Sequence, residues 1–245
     1  MLAAGLRHPL LVCGIVFGMW RLPVVEVRIS PRQAAVWFAP VFPPLASGIF
    51  SGHRAQAVLD LVPDDREYLT GKRKQALRTN LRHARRLGLE VCAVRTFDEF
   101  VVTAGQILRG RPDGLELIRE AAQPFRYQQM AYFVVTDGEG SPVAFTVAVI
   151  FGDCAVLVRS LSLSEHPAAA DSRYMVHTVM RSELRSRGVR YLIAGSAIHE
   201  SPGIQYFQYL LGYEVCNLRI KVQAAPGAAA PPARDLSLAD AVATR

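Results

Sequence analysis

Cysteine is scarce in this chain, with four in 245 residues: Cys13, Cys92, Cys154 and Cys216. No two form a CxxC pair and none stands at ligand spacing from a histidine, which excludes a zinc ribbon or a dithiol redox centre; no metal is expected. Each lies among apolar neighbours, so the expectation is buried free thiols in a reducing cytoplasm. Equally absent are Gly-x-Ser-x-Gly, a P-loop and a dinucleotide-binding glycine fingerprint, which leaves no indication of nucleophilic catalysis by serine or cysteine. Long apolar runs are missing too. The most apolar stretch near the start, Pro9 to Trp20, falls short of the ~20 residues a membrane span requires and lacks a small-residue cleavage site. No transmembrane segment is expected, and no internal repeat is visible.

What is present is ordinary globular composition, 51% hydrophobic and 20% charged, with an excess of base. Lys and Arg number 28 against 21 Asp and Glu, a formal charge of +7, and the sequence pI is about 9.5. This charge fits either a partner bearing phosphates or carboxylates or an arginine-rich composition with no such partner.

Punctuation by glycine and proline divides the chain. Residues 1–55 hold apolar runs (Leu10 to Met19, Pro23 to Ile29, Ala34 to Phe38) expected as strands or extended segments packing on the main domain. Residues 56–223 read as one α/β domain. Gln56 to Val62 is strand-like, and Pro63, Asp64 and Asp65 open a helix that runs to about Leu87 and stops at Gly88. A strand (Leu89 to Val94) and two helices (Phe97 to Leu108, Leu115 to Ala122) follow. Met130 to Val135, Val143 to Phe151 and Cys154 to Leu163, joined by turns at 137–140 and 152–153, form a meander. Met175, Val176, Val179, Met180 and Leu184 mark one face of a helix ending at Gly188. A strand (Tyr191 to Ala194), a short helix (Gly203 to Leu211) and a strand (Tyr213 to Val222) complete the domain. Residues 224–245 are Ala/Pro-rich, a composition expected to form a disordered tail.

Two local sequences carry a family resemblance: Gly203 to Glu214 (GIQYFQYLLGYE), a short aromatic-bearing helix closing on Leu-Gly-aromatic, and the basic segment from Tyr68 to Gly88. With the order meander, helix, strand, short helix, strand, the chain resembles the Gcn5-related N-acyltransferase (GNAT) superfamily. The basic segment resembles its FemABX-like branch, which includes peptidoglycan-bridge aminoacyl transferases and single-domain acyltransferases. The resemblance implies an α/β fold with a mixed, mostly antiparallel, twisted sheet flanked by helices.

It also implies a donor site at a helix N-terminus after a strand, here Ala169, Ala170, Asp171, Ser172 and Arg173, where backbone N–H groups meet the phosphates of acyl-CoA. The family's glycines are missing from this loop, as they often are in the FemABX-like branch, whose donor can be aminoacyl-tRNA. Asp171 or Ser172 would cap the helix. In the basic segment, Lys74, Arg78, Arg82 and Arg85 repeat at about four and form a stripe with no acidic residue. In the FemABX-like branch such a stripe implies substrate phosphate contacts; otherwise it is a solvated face. Leu69, Ala76, Leu77, Ala84 and Leu87 would cover the core.

Proton transfer needs a base for the incoming ammonium and an acid for the leaving group. Candidates are Glu165 and His166 past one strand end, His199 and Glu200 past another, and Tyr206. The superfamily's general-acid tyrosine falls at Gln208, and His177, inside a helix, reads as structural. The leading expectation is transfer of an acyl group from acyl-CoA to a small-molecule or peptide amine by direct attack. Alternatives are aminoacyl transfer from tRNA, or a catalytically degenerate GNAT fold that binds RNA or a protein partner.

Overall fold

The computed structural model describes residues 18, 20–31, 33, 55–94, 96–108, 129–163, 165–197 and 200–223. The expected segments Leu10 to Met19 (save residue 18), Ala34 to Phe38 and Leu115 to Ala122, and the Ala/Pro-rich end, lie outside them.

In chain order the elements are β1 (Val24–Ile29), β2 (Gln56–Asp60), α1 (Asp65–Tyr68), a 3-10 turn (Lys72–Lys74), α2 (Gln75–Arg86), β3 (Glu90–Val94), α3 (Phe97–Ile107), β4 (Gln129–Thr136), β5 (Pro142–Phe151), β6 (Cys154–Ser162), α4 (Ala169–Ser186), β7 (Tyr191–Ser196), α5 (Pro202–Leu211) and β8 (Glu214–Val222). Among the described residues the strands form one eight-stranded sheet in the order β1-β8-β2-β7-β6-β5-β4-β3. The mixed, mostly antiparallel sheet of the sequence reading is present: only β1 with β8 and β6 with β7 pair in parallel.

Alternation along the strands sends two sets of side chains to opposite faces. On one face Ala144, Ala148, Ile150, Phe133 and Val135 pack under α2 and α4, with Leu77, Leu81, Ala84, Val176, Met180 and Leu184. On the other, Phe145, Val147, Tyr132 and Val134 meet Phe100, Ala104 and Ile107 of α3.

The continuous helix expected from Asp65 to Leu87 is broken. Its first turn ends at Leu69, and Gly71 at φ +84° turns the chain before the 3-10 turn and α2. The break changes which side chains face inward: Leu77, Leu81 and Ala84 are buried, while Leu87 is exposed. Cys154 and Cys216 are buried free thiols, but Cys92, on the half-exposed strand β3, is exposed, contrary to expectation.

Gly152 in the β5–β6 turn (φ +55°) approaches β1 so closely that an added Cβ would stand 1.9 Å from the Arg28 carbonyl oxygen. The next residue secures the contact, since Asp153 Oδ1 accepts from the Arg28 N–H at 2.7 Å.

Candidate donor cleft

The parallel strands β6 and β7 pair only at Cys154–Tyr191, Ala155–Leu192 and Val156–Ile193, although β6 runs on to Ser162 and β7 to Ser196. A bulge lies where they part: Ala148 opposes Leu157 but Val147 opposes Arg159, leaving Val158 as the extra residue of β6. A bulge bends its strand and increases the local twist, so β6 swings away from β7. Its residues change from buried to half-exposed at the same place, from Leu157 to Leu161.

The helices that follow these two strands start on either side of the opening. The α4 N-terminus supplies Ala170, Arg173 and Tyr174, and the α5 N-terminus supplies Gly203, Ile204 and Phe207; together they line a cleft of about 190 Å³. Ser201 caps α5, its hydroxyl accepting from the Ile204 N–H at 3.4 Å, with Pro202 in the first turn.

At α4 the expected side-chain cap is absent. Ala168 holds the cap position without a side-chain bond. Ser172 is buried and donates to the Ala169 carbonyl at 2.8 Å, and Asp171 accepts from His83 Nδ1 of α2 at 2.7 Å. The Ala169 N–H is spent on the His166 carbonyl, whereas no acceptor among the described residues takes the N–H of Ala170 or Asp171. Two backbone donors are thus left at a helix end where the dipole favours negative charge.

Of the five residues expected at the donor, Ala170 and Arg173 border the cleft. Arg173 is held by Ser162 at the end of β6, with Nε and Nη2 at 3.3 and 3.2 Å from the hydroxyl oxygen. Tyr174, Gly203, Ile204 and Phe207 were missed by the sequence reading. The Tyr174 ring lies 5.0 Å from the Phe207 ring at a tilted 57°, with the Asn80 side chain of α2 beside its hydroxyl. Burial first, and then the neighbouring Tyr206 phenol, push the Tyr174 hydroxyl above its ordinary range against the opposing effect of Asn80, so it stays protonated at neutral pH. The one signal available was spacing: Tyr174 falls one turn past Ala170 on the expected helix.

None of the described candidate acid–base residues lines the cleft. His166 is tethered through both nitrogens, Nε2 lying 3.4 Å from Asp137 Oδ2 and Nδ1 accepting from the Ala168 N–H at 3.1 Å. Glu165 is exposed beside it. Half-buried Glu200 precedes α5, its carbonyl accepting from Gln205 Nε2 at 3.0 Å. Tyr206 is 61% exposed at the rim, Gln208 is buried, and His199 lies outside the described residues. His177 is buried against the rings of Phe207 and Tyr213, and burial draws its imidazole down to about 4, leaving it neutral, as a structural residue would be.

The basic segment divides into two parts. Lys74, expected on the stripe, is buried instead, donating to the Leu210 carbonyl at 3.2 Å and lying 4.2 Å from the centre of the Tyr68 ring. Arg73 donates to the Tyr209 carbonyl, and Tyr68 donates to that of Leu211 at 2.7 Å. All three donate to carbonyls of the last turn of α5, where helical partners run out, and the Tyr209 carbonyl is shared with the Gly212 N–H. The Leu-Gly ending follows from this: Gly212 sits at φ +94°, and a Cβ there would stand 2.5 Å from Lys74 Nζ. Across the Tyr68 ring lies Arg181, fully buried, bonded to the Pro63 carbonyl and to Asp65 at 2.5 Å. Arg78 turns back to the carbonyls of Leu69 and Gly71. The second part, Arg82, Arg85 and Arg86, is exposed.

No family model matches the chain, and neither does any curated protein. Solved structures resemble it. FemX does so with a TM-score of 0.53 and 11% identity over 66% of this chain and 59% of FemX. A conserved protein of unknown function from Bacteroides thetaiotaomicron VPI-5482 gives 0.51 and 14% identity over 66% of this chain and 57% of its own. A tandem GNAT protein from the clavulanic acid biosynthesis pathway gives 0.42 and 16% identity over 66% of this chain and 50% of its own. The chain therefore spans less than three fifths of the length of these structures. The described residues thus share the fold of FemX over the matched two thirds of the chain, a GNAT-like mixed sheet flanked by helices.

Proposed function

We propose that this chain is a transferase that moves an acyl group from an activated carrier to an amine, with acyl-CoA as the donor. The observation that carries the reading is the opening between β6 and β7, which exposes the unpaired edge of β6 and ends between two helix N-termini. A carrier with an amide-bearing arm can pair with that edge as an added strand would. Its phosphates would meet the N–H groups of Ala170 and Asp171 and the Arg173 guanidinium.

The acceptor amine attacks the thioester carbonyl carbon, the C–S bond breaks, and the nitrogen loses a proton as the sulfur gains one. Holding both reactants in line supplies much of the acceleration. Tyr174, protonated and in the cleft wall, is the donor we assign to the departing sulfur. Glu165, Glu200 and His199 remain the proposed route for the proton leaving the amine; His166, tethered at both nitrogens, would have to release Asp137 or Ala168 to take part.

A second reading has its own observation. Arg82, Arg85 and Arg86 are exposed on α2, the helix whose Asn80 and His83 meet Tyr174 and Asp171 of α4, and Arg73 lies 4.1 Å over the half-exposed Tyr209 ring. Exposed guanidinium groups and aromatic faces suit a nucleic acid end, so aminoacyl-tRNA is the alternative donor.

Thermal shift with CoA, acetyl-CoA, aminoacyl-tRNA and uncharged tRNA separates the readings, because a ligand of the folded state raises the melting temperature by mass action. Stabilisation by acetyl-CoA with transfer to an amine supports the first. Binding of tRNA that falls steeply with salt, and weakens in Arg82→Glu/Arg85→Glu, supports the second. Stabilisation by none of the four refutes both.

A further inference from the structure

The cleft accounts for one face of the fork between β6 and β7. The opposite face carries a feature that donor binding does not use. Arg159 stands on β6 immediately after the bulge, directly opposite Val147 of β5. Directly opposed residues of an antiparallel pair share a face. Val147 packs with Phe100, Ile107 and Leu108 on the α3 side, so Arg159 emerges on that side, away from α4. Its neighbour Ser160 points the other way, hydrogen-bonded to Thr146 at 3.0 Å on the α4 side, which agrees with the alternation.

Arg159 is half-buried, and among the described residues its Nε is a buried donor with no hydrogen-bond partner. Among the described residues it also forms no ion pair. The described residues on the same face around it are apolar: Val147, Val158 and Leu161, with Phe145 and Phe100 in the same cluster. One strand further along the same row, Tyr132 opposes Val147, and among the described residues its hydroxyl has only the Met130 thioether, at 3.1 Å, as an acceptor. A thioether is a weak acceptor. An unpaired guanidinium donor in an apolar wall is costly to the folded protein alone, and that cost is recovered when an anion arrives. Arg presents a planar fork that matches two oxygens of one oxyanion.

We propose that Arg159 is the anchor of the acceptor site, and that the acceptor is an amine carrying an oxyanion, a carboxylate or a phosphate, which Arg159 grips from the α3 side of the fork. The inference rests on the acyl-transfer reading for the word acceptor, but the oxyanion site itself stands on the geometry of Arg159. With the anion held there, the amine reaches into the gap between β6 and β7 from the face opposite the two helix N-termini. Donor and acceptor then meet across the sheet without competing for one opening. Arg159 touches the acceptor but takes no proton, so its role is selection.

The test uses the full chain and two probe pairs that differ only in the anion: alanine against alaninamide, and phosphoethanolamine against ethanolamine. Ligand-observed NMR titration gives their affinities for the wild type, Arg159→Gln and Arg159→Lys. The expected result is that the wild type prefers the anionic member of at least one pair by roughly tenfold or more, the scale of a charge-assisted hydrogen bond. The pair that shows the preference tells carboxylate from phosphate. Arg159→Gln removes the preference, and Arg159→Lys, which keeps charge but loses the fork, weakens it. Should Arg159→Gln fail to fold, Arg159→Lys carries the comparison alone. Equal binding within both pairs by the wild type, no binding of any probe, or a preference that survives in both variants overturns the proposal. Acetyl-CoA and aminoacyl-tRNA are titrated on the same samples. If neither donor binds while the Arg159-dependent preference persists, the transferase reading falls and the oxyanion site stands; if a donor binds and no preference exists, the site falls alone.

Discussion

Replacing Lys74 with methionine tests the buried end of the basic segment in a way that a stability measurement at one pH would not. The ammonium is enclosed by the Tyr68 ring, the end of α5 and the backbone around Gly212. Burial, with help from Arg73 and Arg181, draws it from 10.5 to about 8. A lysine whose folded value is depressed binds fewer protons folded than unfolded between those two values. Its neutral form is favoured in the fold, so stability rises with pH across that window and is lower beneath it. Between pH 7.5 and 9.5 the linkage integral for such a shift comes to just under 2 kcal/mol, and about 1–2 kcal/mol is a fair expectation once residual solvent contact is allowed for. Urea denaturation of wild type and Lys74→Met at pH 7.5 and 9.5 measures it. The wild type should gain about that much relative to the variant on going to the higher pH. The comparison cancels the tyrosines, whose raised phenols act in both proteins at still higher pH. Parallel pH dependence in the two proteins would mean that Lys74 titrates as a solvated lysine and that its enclosure has been misjudged.

Three further outcomes follow from the geometry. Tyr174→Phe should lower the rate of transfer by about 10²- to 10⁴-fold, the range for a lost general acid, with donor affinity close to that of wild type; single-turnover kinetics alongside equilibrium binding would show otherwise if donor binding alone were lost. Ala170→Pro should weaken donor binding with little change in melting temperature, because it removes an N–H with no protein acceptor, whereas Ala169→Pro should cost stability by removing the bond to the His166 carbonyl; equal behaviour of the two variants in melting and donor titration would contradict that division. Gly152→Ala should destabilise by about 2 kcal/mol or more, since the Arg28 carbonyl blocks the new methyl and the backbone conformation disfavours it; a melting temperature within a degree of wild type would refute the close packing of this turn on β1.

The sequence alone determined most elements of the domain from Gln56 onward, because their limits are written in local chemistry. Gly88, Gly188 and Gly212 end α2, α4 and α5 with positive φ, and β-branched runs bounded by turns became β4, β5 and β6. The family resemblance pointed to Ala169 through Arg173 as the donor site, and of these Ala170 and Arg173 border the cleft. The sequence could not place Lys74. A period of about four predicts one exposed stripe only if the helix is continuous, and the turn at Gly71 rotates Lys74 into the interior, where the α5 carbonyls need a donor. Nor could it find Tyr174 as a cleft residue, Ser172 as buried, or Arg159 as unpaired. Those properties depend on which strand stops pairing with which, and on what another part of the chain, distant in sequence, brings to the opposite side of a gap. The fork between β6 and β7 arises from one extra residue in a strand whose local pattern is uninterrupted. Only the pairing partner reveals it, because a bulge is a property of two strands and not of one.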